Sequence, residues 1–412
     1  TALGNGSIGA FVGGELQTGA QAISNAIAGA GISVGGLSTG GAAGVLSGLS
    51  SFGATVAGPY QALFANTANN LQAIGNTFSA NPFPFLHQLV NNQIGYAQQI
   101  FTGLQNLPTE LANLPAAIQA GIQQIASFNP GAFVQQLINT QIGYAQTITT
   151  GLQSAGQDLI TGLQGVPAGF QTAVQDLLAG NPSGAYNALS SAVVGSVLPG
   201  FEQVTVELGG TTPVPVIPLG PLGDLAPIVA IPGQMAQGFT NLLPPGTIAA
   251  EMAQNFTNVL NTFTNFGTTV TGSLVLTFGL PLQFVFDSIG MPINTLSALN
   301  ASSVAFVSAL QAGNAAGAAA ALLDAPAFAA NAFLNGQTLI GLPELTTNIT
   351  LGGIPFTQLV ASAELPVGGL LTPLSPVVLN PGGPIFGTPI GGFIPGLLSF
   401  GAQLAAAITP MG

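Results

Sequence analysis

The pentapeptide Gly-Leu-Ser-Thr-Gly at residues 36–40 has the Gly-x-Ser-x-Gly form that puts a serine hydroxyl on a sharp strand-to-helix turn in hydrolases. Ser38 would be the nucleophile and His87, the one histidine of the chain, its base. That arrangement also needs an acid between the serine and the histidine in chain order, and no Asp or Glu lies between residues 38 and 87. No apolar strand-like run precedes the motif. In a chain with 58 glycines such a match arises readily by chance, so the motif reads as small-residue packing. His87 itself aligns with Gln135 in an internal repeat, which suits a polar helix residue better than a ligand or general base.

The twelve carboxylates are scattered, with neither EF-hand spacing nor a paired acid–base arrangement. Their plain role is solubility and helix termini. Cysteine is absent, which removes disulfides, zinc–thiolate sites and thiol nucleophiles. The reading therefore expects no enzyme and no cofactor.

A different chemistry follows from what is missing. The chain has no lysine and no arginine, against about 45 at ordinary composition, and a net charge of −12. No carboxylate can pair with a basic side chain, so each is hydrated, held by backbone N–H groups, or protonated by burial. Nucleic acid is excluded as a partner, because nothing neutralises phosphates. Attachment to lipid must be apolar, since anionic surfaces repel the chain. Loop cations that would orient a protein in an inner membrane are missing as well. A mean hydropathy of +0.59 with 3% charged residues argues against disorder. No basic leader is visible, which fits a mature exported chain whose leader has been removed.

These side chains need elements to hold them. Gly36, Gly40, Gly44 and Gly48 recur every four residues, one face of a helix over 36–57, with a further helix expected near 7–31. Each internal glycine costs about 1 kcal/mol relative to alanine in water, so a packing return is required. A flexible linker and packing within a soluble core are the alternatives; close packing in a membrane or an oligomer is the reading preferred.

Residues 59–197 carry an internal repeat. Residues 85–106, FLHQLVNNQIGYAQQIFTGLQN, align with 133–154 at an offset of 48, with 15 identities in 22 positions. Residues 114–130 align with 166–182 at an offset of 52. Asn-Pro pairs at 81, 129 and 181 mark the joints. Each unit reads as a long helix, a shorter helix opened by proline, and a break, the units stacking as helical hairpins. Asn91, Gln93, Gln141, Asp158 and Asp176 on these helices are the candidate polar lining, suited to cations or neutral solutes.

Residues 198–233 alternate β-branched and polar residues and fill with proline, an extended segment or strand pair. Helices return at 234–265, where QMAQGFTNLL and EMAQNFTNVL repeat at an offset of 17. The uncharged run 270–286 is long enough for a short tilted span kinked at Pro281, or for a buried helix. Residues 301–336 read as an alanine-rich helix, 343–396 as Gly/Pro-rich with short β runs such as TTNITLGGIPF, and 397–408 as a closing helix. The fold class expected is mainly α, with helical-hairpin repeats and a partly β C-terminal third. Four regions are drawn: 1–58, 59–197, 198–342 and 343–412.

Several of these stretches resemble the C-terminal regions of mycobacterial PE/PPE-type secreted proteins: FVQQLINTQIGYAQTITTGLQ, IPGQMAQGFTNLLPPGT, EMAQNFTNVLNT, LQAGNAAGAAAALLDAPAFAANAFLNGQ and the LGGIP–GTPIGGFIPGLL close. The resemblance covers roughly residues 80–410 and rests on no catalytic motif. It implies export to the cell surface or mycomembrane, where some members are associated with nutrient uptake. The stretch read here shows no N-terminal Pro-Glu domain, and Tyr60, Tyr96, Tyr144 and Tyr186 lack an acid four residues later, so a cleaved secretory leader is expected. The function expected is a homo-oligomeric outer-envelope protein, structural or pore-forming, with itself and envelope lipids as partners. A surface adhesin or lipid-binding scaffold without a pore is the rival, and a lipid esterase using Ser38 ranks last.

Overall fold

The computed structural model describes residues 41–127, 130–179 and 181–409. Four helices open it: α1 (Gly41–Ala80), α2 (Pro84–Ser127), α3 (Pro130–Leu178) and α4 (Pro182–Val197). Proline opens α2, α3 and α4, where its missing N–H costs nothing. At the last joint Asn181 accepts a hydrogen bond from the Gly184 N–H (3.0 Å), capping α4.

The Asn-Pro joints lie where the repeat places them, but the expected inner breaks do not form. Residues 84–127 are one helix running through Pro108 and Pro115, and α3 continues through Pro167. A proline inside a helix costs about 3 kcal/mol. In α3 the packing of residues 151–173 on its neighbours offsets that loss. The hairpin forms instead between α3 and α4, across the Asn181–Pro182 joint. Among the described residues α2 packs on the C-terminal helix, and the two repeat helices have no substantial contact with each other.

The β part is assembled from distant pieces: β1 (Val204–Glu207), β2 (Val214–Val216), β3 (Thr268–Val270), β4 (Val275–Phe278), β5 (Gln337–Leu351), β6 (Ile354–Gly368), β7 (Val378–Asn380), β8 (Gly383–Pro384) and β9 (Phe386–Gly387). One sheet has the order β1-β5-β6-β7-β8, with β1 parallel to β5; the other runs β2-β3-β4-β9. Gly352 and Gly353, at φ +60° and +76°, form the two-residue loop of the long β5–β6 hairpin, where both positions require positive φ. Inward side chains of both sheets share one core, including Val204, Val206, Leu365 and Val367 from the first and Val216, Val270, Leu276 and Phe278 from the second.

The remaining helices are α5 (Pro221–Val229), α6 (Ile231–Thr240), α7 (Ile248–Thr264), α8 (Leu280–Gln311), α9 (Ala315–Asn335) and α10 (Phe393–Ala407). The 17-residue repeat becomes the α6–α7 hairpin, in which equivalent positions meet: Gln237 and Gln254 exchange amide hydrogen bonds (3.1 Å), and the hydroxyls of Thr240 and Thr257 lie 2.9 Å apart. The run 270–286 is not one span. It comprises the end of β3, a turn, β4 and the first turns of α8, and Pro281 initiates that helix instead of kinking it. The stretch 301–336 breaks at Gly313 (φ +69°) between α8 and α9. Two of the composition boundaries fall inside elements: 58/59 within α1 and 342/343 within β5.

Candidate functional site

Ser38, Gly36 and Gly40 lie outside the described residues, while Gly44 and Gly48 lie in α1. His87 sits exposed in the first turn of α2, its backbone N–H donating to the Phe83 carbonyl (3.1 Å). Among the described residues no group of three or more His, Asp or Glu is placed to hold a metal ion.

An organised apolar surface runs along the repeat helices. On α3, Val134, Leu137, Ile138, Ile142, Ile148, Leu152, Leu159, Ile160, Leu163, Phe170 and Val174 are all exposed. At 100° per residue they fall within an arc of about 140°, along a helix roughly 70 Å long. Leu152, Ile160 and Phe170 are 57%, 62% and 59% exposed, so this stripe is uncovered for most of its length. On α2 the same stripe recurs at the repeat offset, with Leu86, Leu89, Val90, Ile94, Ile100 and Leu104 matching Val134, Leu137, Ile138, Ile142, Ile148 and Leu152. Beside it on α3 runs a polar arc that includes Gln135, Gln146, Gln153, Gln157, Gln164 and Gln171, all exposed.

The third face of α3 is made of small residues. An added Cβ at Gly151 would lie 2.7 Å from the Asp224 carbonyl oxygen, at Gly162 2.5 Å from that of Ser196, and at Gly169 2.4 Å from Ala192 Cβ. Ala155 and Ala173 are buried on the same side. The close-approach logic assigned to Gly36–Gly48 thus operates on α3. Its signal was the run of 11- and 7-residue spacings at 151, 162 and 169, which are helical repeats as good as spacings of four.

The five candidate lining residues do not converge. Gln93 and Gln141, equivalent in the repeat, fall inside the apolar arc, and Asn91 lies beyond its edge. Asp158 and Asp176 project from the side of α3 that meets α4 and α5. Asp158 raises the Asp224 carboxyl by like-charge repulsion, second to the effect of burial. Asp176 accepts from the Asn181 amide (3.1 Å) and belongs to the joint.

Sequence reasoning missed a buried polar seam on α8. Gln283, Asp287 and Asn294, four and seven residues apart, are buried toward the sandwich and α10. Gln283 donates to the Ser399 hydroxyl (3.1 Å) and accepts from the Gln403 amide (2.6 Å). Asn294 donates to the Val367 carbonyl (3.2 Å) and accepts from the Thr338 hydroxyl (2.5 Å). Asp287 accepts from the Gly391 N–H (2.9 Å), and its other oxygen has no partner. Burial pushes its carboxyl up to about 7, and the Gly391 N–H and the Gln283 amide draw it part of the way back. Both α8 and α9 are long and apolar enough to cross a membrane, but this seam ties α8 to the β core.

The chain is 39% identical over 390 residues to the PE-PGRS family protein PE_PGRS62 of Mycobacterium tuberculosis (strain ATCC 25618 / H37Rv), a match covering 87% of this chain and 77% of that protein. It is 36% identical over 364 residues to PE_PGRS30 of the same organism, covering 86% of this chain and 29% of that longer protein. No family model and no solved structure matches the chain.

Proposed function

Because the chain belongs to the PE-PGRS family of mycobacterial proteins, we propose that it is exported to the cell envelope and acts there as a structural, lipid-contacting protein without enzymatic activity. The observation that carries this reading is the pair of uncovered apolar stripes on α2 and α3, set in register by the repeat. Each large aliphatic side chain removed from water contributes about 1.5–3 kcal/mol when fully buried, so covering one stripe yields on the order of 10 kcal/mol before ordering costs. An amphipathic helix of this length, with glutamines beside the stripe, suits lying along a lipid surface. The absence of Lys and Arg fits export, and leaves apolar contact as the means of attachment.

The test is flotation of the purified chain with neutral phosphatidylcholine vesicles. The wild-type protein should float, and a variant carrying Leu137→Gln, Ile142→Gln and Leu152→Gln together with the equivalent α2 changes Leu89→Gln, Ile94→Gln and Leu104→Gln should remain at the bottom of the gradient. Equal flotation of both would defeat the stripe reading. One observation favours a second reading, a homo-oligomer: a stripe present twice per chain can pair with its counterparts on another copy. Sedimentation without lipid distinguishes the two. A defined assembly would favour the oligomer, and bilayer conductance would then test whether its glutamine faces enclose a pore.

A further inference from the structure

A groove opens where the end of α1, the joint at residues 81–83, the start of α2 and one side of α10 meet. Its volume is about 950 Å³, within the range of about 300–1,000 Å³ typical of small-molecule sites. Its walls are apolar, with Ile74, Phe78, Phe83, Leu86, Leu397 and Leu404 among them. The hydroxyls in the wall are already used: Thr77 donates to the Ala73 carbonyl (3.0 Å), and Ser399 donates to the Gly396 carbonyl (2.7 Å). Asn81 supplies an exposed amide at the rim.

The joint is held in an unusual conformation. Phe83 has φ 51°, in the left-handed region where a bulky residue is rare, and is 59% exposed. Its ring meets that of Phe78 edge to face at 5.2 Å, so two phenyl groups stand together on one wall. Local backbone preference opposes this geometry, and both rings line the groove.

Charge selects among apolar occupants. Among the described residues no Asp, Glu or His lines the groove, and the chain has no Lys or Arg to neutralise a carboxylate or phosphate headgroup. A net charge of −12 repels anionic lipids further. A neutral headgroup loses nothing and can hydrogen-bond the rim amide. We infer that this groove binds the acyl chain of a neutral lipid of the monoacylglycerol type. The site shares Leu86 with the α2 stripe and no residue with the α3 stripe.

Equilibrium gel filtration of the delipidated full chain with radiolabelled monopalmitoylglycerol tests it, with palmitate as the anionic probe. Saturable one-to-one binding is expected, with palmitate weaker by about tenfold or more. Two variants act at the surface of the groove: Ala402→Trp fills it, and Leu397→Gln, at a position 41% exposed, makes its wall polar. Each should weaken binding by about tenfold at an unchanged melting temperature, while the stripe variant binds like wild type. Absence of saturable binding, equal affinity for palmitate, or binding that survives both groove variants would overturn the assignment. So would a dimer that Leu397→Gln dissociates in a chain that takes up no lipid, which would give the groove to a second copy.

Discussion

With no basic side chain to pair with, the carboxylates of this protein divide by solvent, and two of them respond to pH in opposite senses. Asp287 has a folded-state pKa of about 7 against 3.8 for the free side chain. Below the lower value both states are protonated and burial costs nothing. As pH rises through the interval the unfolded chain releases its proton first, so stability falls. Asp287→Asn should therefore be more stable than wild type at neutral pH, by roughly 4 kcal/mol at most, with the difference vanishing near pH 4 in urea melts. Glu207 is exposed and accepts from the Thr350 hydroxyl (2.6 Å) and the Gly352 and Gly353 N–H groups at the β5–β6 loop. The Thr350 hydroxyl, then the Gly352 N–H, hold its carboxyl below the usual value of 4.5. Its contribution is present above that range and lost as pH falls through the lowered value. The Gly352 amide resonance should titrate with a midpoint below 4.5, and a midpoint at or above it would separate the two groups. Both outcomes, a carboxylate held by N–H groups and one protonated by burial, follow from the absence of cations in the sequence. Which acid is buried was not legible, because the fate of Asp287 depends on Gly391, more than 100 positions away.

At the level of elements, α3 owes its position to three glycines that differ from their neighbours in surroundings, not in type. Gly162→Val should destabilise the α3–α4 hairpin by about 2–4 kcal/mol, since the added carbon meets the backbone of Ser196. Gly165, three residues on, has nothing within 4 Å of an added Cβ, so Gly165→Ala should be stabilising by about 0.5–1 kcal/mol. Chemical denaturation of the two variants checks the pair, and similar values would mean that α3 does not approach α4 closely. The repeat and its Asn-Pro joints were legible because pre-proline strain is local. The helix running through Pro167 was not, because its cost is offset by α4, a partner that no pattern within α3 reveals. The α6–α7 hairpin was legible as a 17-residue repeat, and the structure adds that the repeated Gln and Thr are the residues that pair.

For the molecule as a whole, attachment without cations has a measurable signature. Lipid association should persist almost unchanged from low to high salt, because no counterion-screened attraction contributes to it. A marked loss of flotation at high salt would contradict apolar attachment. The mainly α class with a partly β C-terminal region was readable from helical periodicity and from short β-like runs such as TTNITLGGIPF. The two-sheet core was not, since β2 pairs with a strand more than 50 residues on and β1 with one more than 100 residues on, and β5 crosses a change in composition that suggested a boundary.

The parallel pairing of Val204 with Thr347 also imposes an order in time. Neither β1 nor the side of β5 that receives it is complete until the chain between them has been made, with α5 to α9 formed or forming in the interval. During synthesis β1 is an open edge with two inward valines, the kind of edge that recruits other strands. The glutamate at its end, Glu207, meets the Gly352–Gly353 loop only when β5 and β6 have joined β1, so that contact reports closure of this sheet's parallel edge.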